Sequence, residues 1–173
     1  MTEDSQSVVR NMVHMWSANH STQSFRSAAF VELRQSFPSQ VQLISPFVDQ
    51  LMRFIRRFRP TDGSEIDIEV AIREALANAV VHGNSEDPSK KVYVECRCYT
   101  DGEVSISVRD EGAGFDASIV PDPTSPEGRL SEHGRGIYLM KTLMDEVSFE
   151  ESGTAVHMGK KSNLGPDAQR RAA

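Results

Sequence analysis

Apolar and polar residues alternate along five short segments of the chain, which is the pattern of strands that are buried on one side. Two of the intervening dipeptides, Asp101-Gly102 and Ser152-Gly153, are typical of hairpin turns. The chain is therefore predicted to contain two hairpins and one further strand. The predicted strands cover residues 30–37, 92–99, 104–108, 147–151 and 154–158.

Three other segments carry apolar residues at helical spacing. The predicted helices cover residues 44–58, 64–82 and 137–144. Two start signals compete for the first helix, a capping-box pattern from Ser39 to Gln42 and the pair Ser45-Pro46. Gly83 follows the second helix and is predicted to be its C′ residue.

The order of these elements predicts the fold class. Helices and strands alternate early in the chain and strands dominate later, which is typical of an α/β two-layer sandwich. Its sheet is expected to be mixed, mostly antiparallel, and covered by helices on one face. A length of 173 residues and an apolar content of 38% suit a single globular core, predicted over residues 29–161.

The two ends of the chain differ in composition from this domain. Residues 1–28 are rich in Ser, Thr, Gln and Asn, and they fit either a frayed extension or a short amphipathic helix that binds a partner or a second copy. Residues 162–173 are predicted to be a disordered tail. The apolar stripe of the N-terminal segment consists of Val9, Met12, Val13 and Trp16.

Charge and composition exclude several classes of protein. The 25 Asp and Glu residues outnumber the 19 Lys and Arg residues, and a chain of net charge -6 is a poor general binder of nucleic-acid backbones. A single nucleotide needs only local donors and is not excluded. No apolar run approaches the roughly 20 residues of a membrane span, and the acidic N-terminus is unlike a secretory signal. Cys96 and Cys98 are predicted to be reduced core residues, so a cytoplasmic location is expected.

The first candidate for chemistry is a polar stripe on the second predicted helix. Glu74, Asn78 and His82 are spaced by four residues and therefore share one side of a helix. Such a stripe is either a solvated face or a functional one. The functional interpretation is supported by Asn78, because asparagine is a poor helix former in the interior of a helix.

The second candidate is the pattern Asp110-x-Gly112-x-Gly114 after the third predicted strand. If that strand continues, Asp110 projects a carboxylate onto the apolar face of the sheet, where it needs a hydrogen-bonding partner such as an amino group. The alternative is that Asp110 only opens a turn before two glycines. The third candidate is Gly134-Arg135-Gly136 at the start of the third helix, which suits either an anion at the helix N-terminus or a tight turn.

Together, the three motifs resemble the nucleotide-binding boxes of the GHKL ATPase superfamily, whose domains have the Bergerat fold. Within it, the stretches from Glu74 to Asn84 and from Glu132 to Val147 are most similar to the anti-sigma-factor serine/threonine kinases of bacterial stress and sporulation switches. The resemblance covers approximately residues 30–160 and predicts a two-layer sandwich of the Bergerat type.

The resemblance implies a role for each motif residue. Glu74 is the expected catalytic base for the attacking hydroxyl, and Asn78 is the expected ligand of Mg²⁺. Asp110 is expected to accept a hydrogen bond from the adenine amino group of ATP, while Gly112 and Gly114 let the base lie close.

The resemblance also implies a lid over the phosphates at residues 116–133. Gly134 and Gly136 are expected to present backbone donors to those phosphates. Three basic residues are candidates for contact with the γ-phosphate: Arg129, His133 and Arg135.

The implied function is that of an ATP- and Mg²⁺-dependent protein serine/threonine kinase that is also an anti-sigma factor. Its expected partners are a STAS-domain anti-anti-sigma protein as the phosphorylated substrate, a sigma factor that it sequesters, and a second copy of the chain in a homodimer. The alternative is a nucleotide-gated protein-binding module without transfer activity. Neither interpretation involves direct contact with nucleic acid or a membrane.

Overall fold

The computed structural model describes residues 29–58, 63–114 and 132–163. Five strands and three α-helices make up most of these ranges. In chain order they are β1 (Phe30–Pro38), α1 (Ile44–Phe58), α2 (Glu65–Ala77), β2 (Lys91–Tyr99), β3 (Val104–Arg109), α3 (Glu132–Leu143), β4 (Glu146–Glu150) and β5 (Ala155–Lys160). The shorter elements are 3-10 turns at Val41–Leu43 and Glu151–Gly153 and a π-helical turn at Asn78–Gly83.

Several predictions fall outside the described residues. These are the N-terminal extension at residues 1–28, most of the lid together with Arg129, and residues 164–173 of the tail. The domain boundaries therefore stay predictions.

The strands form one sheet in the order β1-β2-β3-β5-β4. Each pair of neighbouring strands in this sheet is antiparallel, and β3 lies at its centre, where Ile106 pairs with Cys96 on one side and Met158 on the other. The predicted α/β sandwich is confirmed, and none of the pairings among the described strands is parallel. None of the described helices is long and apolar enough to cross a membrane.

The core lies between the sheet and the three helices. Its central strands contribute the inward half of each alternating pattern, such as Val92, Val94 and Cys96 of β2, while α1 and α2 contribute residues at helical spacing. Cys96 and Cys98 are free and buried, as predicted. A hydrogen bond between the Cys96 thiol and Cys98, together with burial, raises the pKa of the Cys96 thiol well above its ordinary value, so this thiol stays neutral.

The opposite face of the sheet carries charged residues at its β1–β2 end. Arg97 Nε lies 2.7 Å from Glu32 Oε1, and Arg34 Nε lies 2.9 Å from Glu95 Oε2. This face explains why the sequence pattern of β2 alternates strictly, since the helices in the described part of the chain cover one side of the sheet.

The start of α1 differs from both sequence signals. A 3-10 turn leads directly into Ile44, and Ser39 caps neither helix. Instead, Ser39 is fully buried and its Oγ donates to the carbonyl oxygen of Val80 at 3.4 Å, which ties the end of β1 to the π-helical turn. The capping-box prediction for Ser39 and Gln42 is therefore wrong.

Helix α3 begins at Glu132, five residues earlier than predicted, so Gly134 and Gly136 lie inside it. Its other end is held by Lys160 of β5, whose Nζ donates to the carbonyl oxygen of Leu143 at 2.7 Å. The same ammonium lies 3.5 Å from Asp145 Oδ1 and 3.9 Å from Asp67 Oδ2. Lys160 therefore joins the C-terminus of α3 to the N-terminal part of α2.

We predict that Lys160→Ala lowers the free energy of unfolding by about 2 kcal/mol, because a charge-assisted hydrogen bond at a helix C-terminus is lost. Lys161→Ala is the matched control: its side chain is 60% exposed, against 13% for Lys160, and its ion pair with Glu146 is a surface pair. Urea unfolding of both variants measures the difference. Equal losses in the two variants would contradict this role for Lys160.

Candidate functional site

The site begins where α2 continues into the π-helical turn at Asn78–Gly83. The N–H of Asn84 donates to the carbonyl oxygen of Ala79 at 2.9 Å, which is the i→i+5 bond of a π-helix. Because this turn contains an extra residue, Gly83 rather than His82 follows Asn78 by one turn. His82 is exposed, and the predicted stripe of three polar residues is reduced to Glu74 and Asn78.

Gly83 does not end the helix as predicted. It lies inside the π-helical turn with a φ outside the left-handed region, and the chain reverses afterwards at Ser85 and Glu86, which both have φ 57°. The reason for glycine is space: a Cβ at residue 83 would lie 2.5 and 2.6 Å from the two carboxylate oxygens of Asp110. The end of α2 and the end of β3 therefore meet at this point.

Asp110 is fixed at both its backbone and its side chain. Its N–H donates to the carbonyl oxygen of Thr154 at 3.0 Å, and its Oδ1 accepts from the N–H of Gly112 at 2.8 Å. The residue is 8% exposed, and burial raises the pKa of its carboxyl group above the ordinary value, although the Gly112 N–H opposes this rise. Asp110 is thus a desolvated acceptor held in one orientation; it directly follows β3, which ends at Arg109, and it also opens a turn through Gly112, so features of both sequence alternatives are present.

Gly112 and Gly114 allow further close approaches of backbone. A Cβ at residue 112 would collide with the carbonyl oxygen of Gly83, and one at residue 114 would collide with the carbonyl oxygen of Ser152. Gly114 also has φ +75°, which L side chains rarely adopt. In this structure, the two glycines of the motif let three chain segments cross beside Asp110.

A second cluster forms where α3 packs against α2. A Cβ at residue 136 would lie 2.7 Å from Glu74 Oε2, and 3.5 and 3.6 Å from Nδ2 and Oδ1 of Asn78. The two side chains therefore end beside the same point of α3, and both are half-buried. A carboxylate and an amide oxygen in this arrangement suit a hard cation, and the carboxylate also suits acceptance of a proton.

The structure brings most of the predicted residues into two clusters. Glu74, Asn78 and Gly136 form one cluster, and Asp110 and Gly112 form the other; the π-helical turn connects the two. Gly134 lies in the first turn of α3, and Arg135 is exposed.

Sequence reasoning assigned no role to Asn84 and Glu111. Asn84 is fully buried, accepts from the N–H of Glu111 at 2.8 Å and donates to the carbonyl oxygen of Lys91 at 3.0 Å. Asparagine is common where a chain reverses, but the sequence pattern does not distinguish a buried asparagine from an exposed one. Glu111 lies between Asp110 and Gly112, and only the structure shows that its carboxylate has partners.

Comparison with known proteins agrees with this fold. Residues 37–160 match the family of histidine kinase-like ATPase domains. The fold is also similar to the crystal structure of the RsbU and RsbW domains of a Mycobacterium tuberculosis protein, with a TM-score of 0.54 and 19% sequence identity. That similarity covers 78% of this chain and 32% of the other chain, and it concerns the fold alone.

Curated relatives are similar over most of their own length. The anti-sigma F factor of Oceanobacillus iheyensis is 37% identical over 115 residues, which cover 62% of this chain and 77% of the relative. The anti-sigma F factor of Clostridium perfringens is 38% identical over 117 residues, which cover 64% and 81%. The chain therefore belongs to the family of histidine kinase-like ATPase domains, in the group of the anti-sigma factors.

We predict that Gly83→Ala lowers the free energy of unfolding by about 1–3 kcal/mol, because the new Cβ pushes against the carboxylate of Asp110. Helix propensity alone predicts the opposite sign, a gain of roughly 0.5–1 kcal/mol. Gly159→Ala is the control, since its Cβ would lie at an ordinary 3.4 Å from Glu146 Cβ. Chemical unfolding of both variants measures the two changes in free energy. A Gly83→Ala variant more stable than the parent would refute the close contact between residue 83 and the Asp110 carboxylate.

The buried carboxyl of Asp110 predicts a specific dependence of stability on pH. Its pKa is raised from the ordinary 3.8, so the folded state binds this proton more tightly than the unfolded state does. The contribution of Asp110 to the free energy of unfolding therefore falls as pH rises from about 3.8 through the folded pKa, and is constant beyond it. Relative to Asp110→Asn, the parent protein should lose stability across this range.

Glu111→Gln is the matched comparison, because hydrogen bonds from Tyr93 and Lys91 lower the pKa of Glu111. Here the parent should gain stability relative to the variant as pH rises through the folded pKa towards the ordinary 4.5. Urea unfolding between pH 3 and pH 8 measures both differences. If the two differences in free energy of unfolding, each parent minus variant, changed in the same direction with pH, the environments assigned to Asp110 and Glu111 would be contradicted.

Proposed function

We propose that this chain is an ATP- and Mg²⁺-dependent protein kinase that phosphorylates a serine or threonine of a STAS-domain anti-anti-sigma protein and sequesters a sigma factor. The observation that carries the proposal is that the side chains of Glu74 and Asn78, both on the helix formed by α2 and the π-helical turn, converge beside Gly136 of α3. Asp110 follows β3 and lies against Gly83, at the end of that same helix. The names of the curated relatives support the anti-sigma part of the proposal.

The adenine end of the proposed site is Asp110. Its buried carboxylate accepts a hydrogen bond from the exocyclic amino group of adenine. This contact distinguishes adenine from bases that lack the amino group. Because Gly83 and Gly112 have no Cβ, the Asp110 carboxylate has room to occupy this position. From Glu74 to Gly83 the helix advances nine residues, roughly 13 Å, so the two clusters are separated by a distance of nucleotide size.

The phosphate end of the proposed site is the junction of α2 and α3. Asn78 Oδ1 is the proposed protein ligand of Mg²⁺, which prefers oxygen donors and keeps most of its other ligands as water and phosphate oxygens. When bound, the ion offsets the negative charge of the phosphates during transfer. Gly134 lies among the first four residues of α3, whose N–H groups have no partner within the helix and can bind phosphate oxygens.

Glu74 is the proposed catalytic base. Its carboxylate lies against α3, where Gly136 lacks the Cβ that would displace it. In this position Glu74 accepts the proton of the attacking serine or threonine hydroxyl and orients its oxygen. Gly136 therefore contributes to the site by allowing the close contact of α2 and α3.

We expect Glu74→Gln to keep ATP affinity within about twofold while phosphate transfer falls by roughly 10²–10⁴-fold, because the proton acceptor is lost and the shape is kept. Glu69→Gln is the control on the same helix, since Glu69 pairs with Arg73 instead. Transfer from γ-labelled ATP to STAS-domain proteins is measured together with ATP affinity. Equal transfer by both variants would remove Glu74 from the role of base, and no transfer by the parent would favour a nucleotide-gated binding module.

A further inference from the structure

A closed ring of hydrogen bonds lies next to the proposed adenine site. Asn84 Nδ2 donates to the carbonyl oxygen of Lys91 at 3.0 Å, and the N–H of Lys91 donates to Glu111 Oε2 at 2.8 Å. The N–H of Glu111 completes the ring by donating to Asn84 Oδ1 at 2.8 Å. We call these three residues the 84–91–111 clamp; it joins the π-helical turn, the first residue of β2 and the segment that follows β3.

The clamp combines a buried and an exposed residue. Asn84 is 0% exposed, and both ends of its amide are used. Glu111 lies at the surface, where its second carboxylate oxygen accepts from the Tyr93 hydroxyl at 2.7 Å. The Arg109 guanidinium stacks over the Tyr93 ring at 4.3 Å, which further orders this edge of the sheet. Residue 111 is therefore held through both its backbone and its side chain.

The position of residue 111 determines how Asp110 is presented. Asp110 is held on its N-terminal side by the bond to Thr154, and its carboxylate is held by the N–H of Gly112. Glu111 lies between those two anchor points. A shift at Glu111 moves the Gly112 N–H and so rotates the carboxylate of Asp110, whereas the clamp prevents that shift by binding Glu111 to Asn84 and Lys91.

The clamp is also built at a strained position of the chain. Ser85 and Glu86 directly follow Asn84, and both are non-glycine residues with φ 57°. Such a conformation persists only where the surroundings over-determine it, and strained backbone concentrates at functional sites. The N–H of Glu86 donates to the carbonyl oxygen of Val80 at 2.8 Å, which anchors the reversal to the helix.

We propose that Asn84 and Glu111 are positioning residues that fix the Asp110 carboxylate for recognition of the amino group of adenine. This inference rests on the proposed nucleotide site and adds to it the residues on which base selectivity depends. Neither residue is expected to touch the nucleotide. Their loss therefore weakens the preference for adenine over hypoxanthine, which lacks the amino group, and leaves the remaining contacts of the nucleotide in place.

The experiment measures the affinities of ADP and IDP, with Mg²⁺ present, by calorimetry on the full chain. In Asn84→Ala and Glu111→Ala, the ratio of the two affinities should fall by about tenfold, the equivalent of one lost charge-assisted hydrogen bond, while IDP affinity stays unchanged. Asp87→Ala is the matched control, because Asp87 accepts from the N–H of Ser89 at 2.9 Å in the same connection and is not part of the clamp. That variant should keep the parent ratio.

The outcomes separate the inference from the proposed function. No binding of ADP by the parent overturns the nucleotide site and the clamp together. If the parent protein binds ADP more tightly than IDP, and the folded clamp variants show the same ratio of the two affinities, only the inference is overturned. If Asn84→Ala fails to fold, the exposed Glu111→Ala decides alone. A variant that loses ADP and IDP affinity equally shows a purely structural role and also overturns the inference.

Discussion

The crossing of three chain segments beside Asp110 is the constraint on which the rest of the site depends. The turn after α2 and the segment after β3 approach so closely that Gly83 and Gly112 have no room for a Cβ, and the third segment, at Ser152, approaches Gly114 in the same way. This contact holds the Asp110 carboxylate in a position with little water, and burial there raises the pKa of the group. It also fixes the direction in which α2 leaves the sheet.

That direction places the second half of the site. With the end of α2 anchored at Asp110, Glu74 lies more than two turns back along the same helix, against α3. Lys160 anchors the other end of α3, so the contact between Gly136 and Glu74 is supported from both sides. The carboxylates of Asp110 and Glu74 are thus held apart by one helix, which is the separation that the proposed kinase needs between its adenine contact and its catalytic base.

Periodicity predicted the fold well, because the sheet is covered on one face and its strands alternate. The same pattern placed Asp110 on the apolar face of the sheet only if the strand continues, and it did not decide whether the stripe of Glu74 is solvated or functional. It could not predict the π-helical turn, since this turn ends the helix at Gly83 and no apolar helical residues follow it to show the shift in register. It also started α3 too late, because Gly134 and Gly136 are weak helix formers whose conformation is set by packing on α2. The burial of Asn84 depends on contacts distant in sequence.

Direct titration of the purified chain with ADP and ATP tests the central claim, that these segments form a single nucleotide site. The account predicts one nucleotide per chain, bound more tightly with Mg²⁺ than without it, and a strong loss of affinity in Asp110→Asn. Calorimetry measures all three quantities in one series. Absence of nucleotide binding in the presence of Mg²⁺, or equal binding by the parent and Asp110→Asn, would contradict the account.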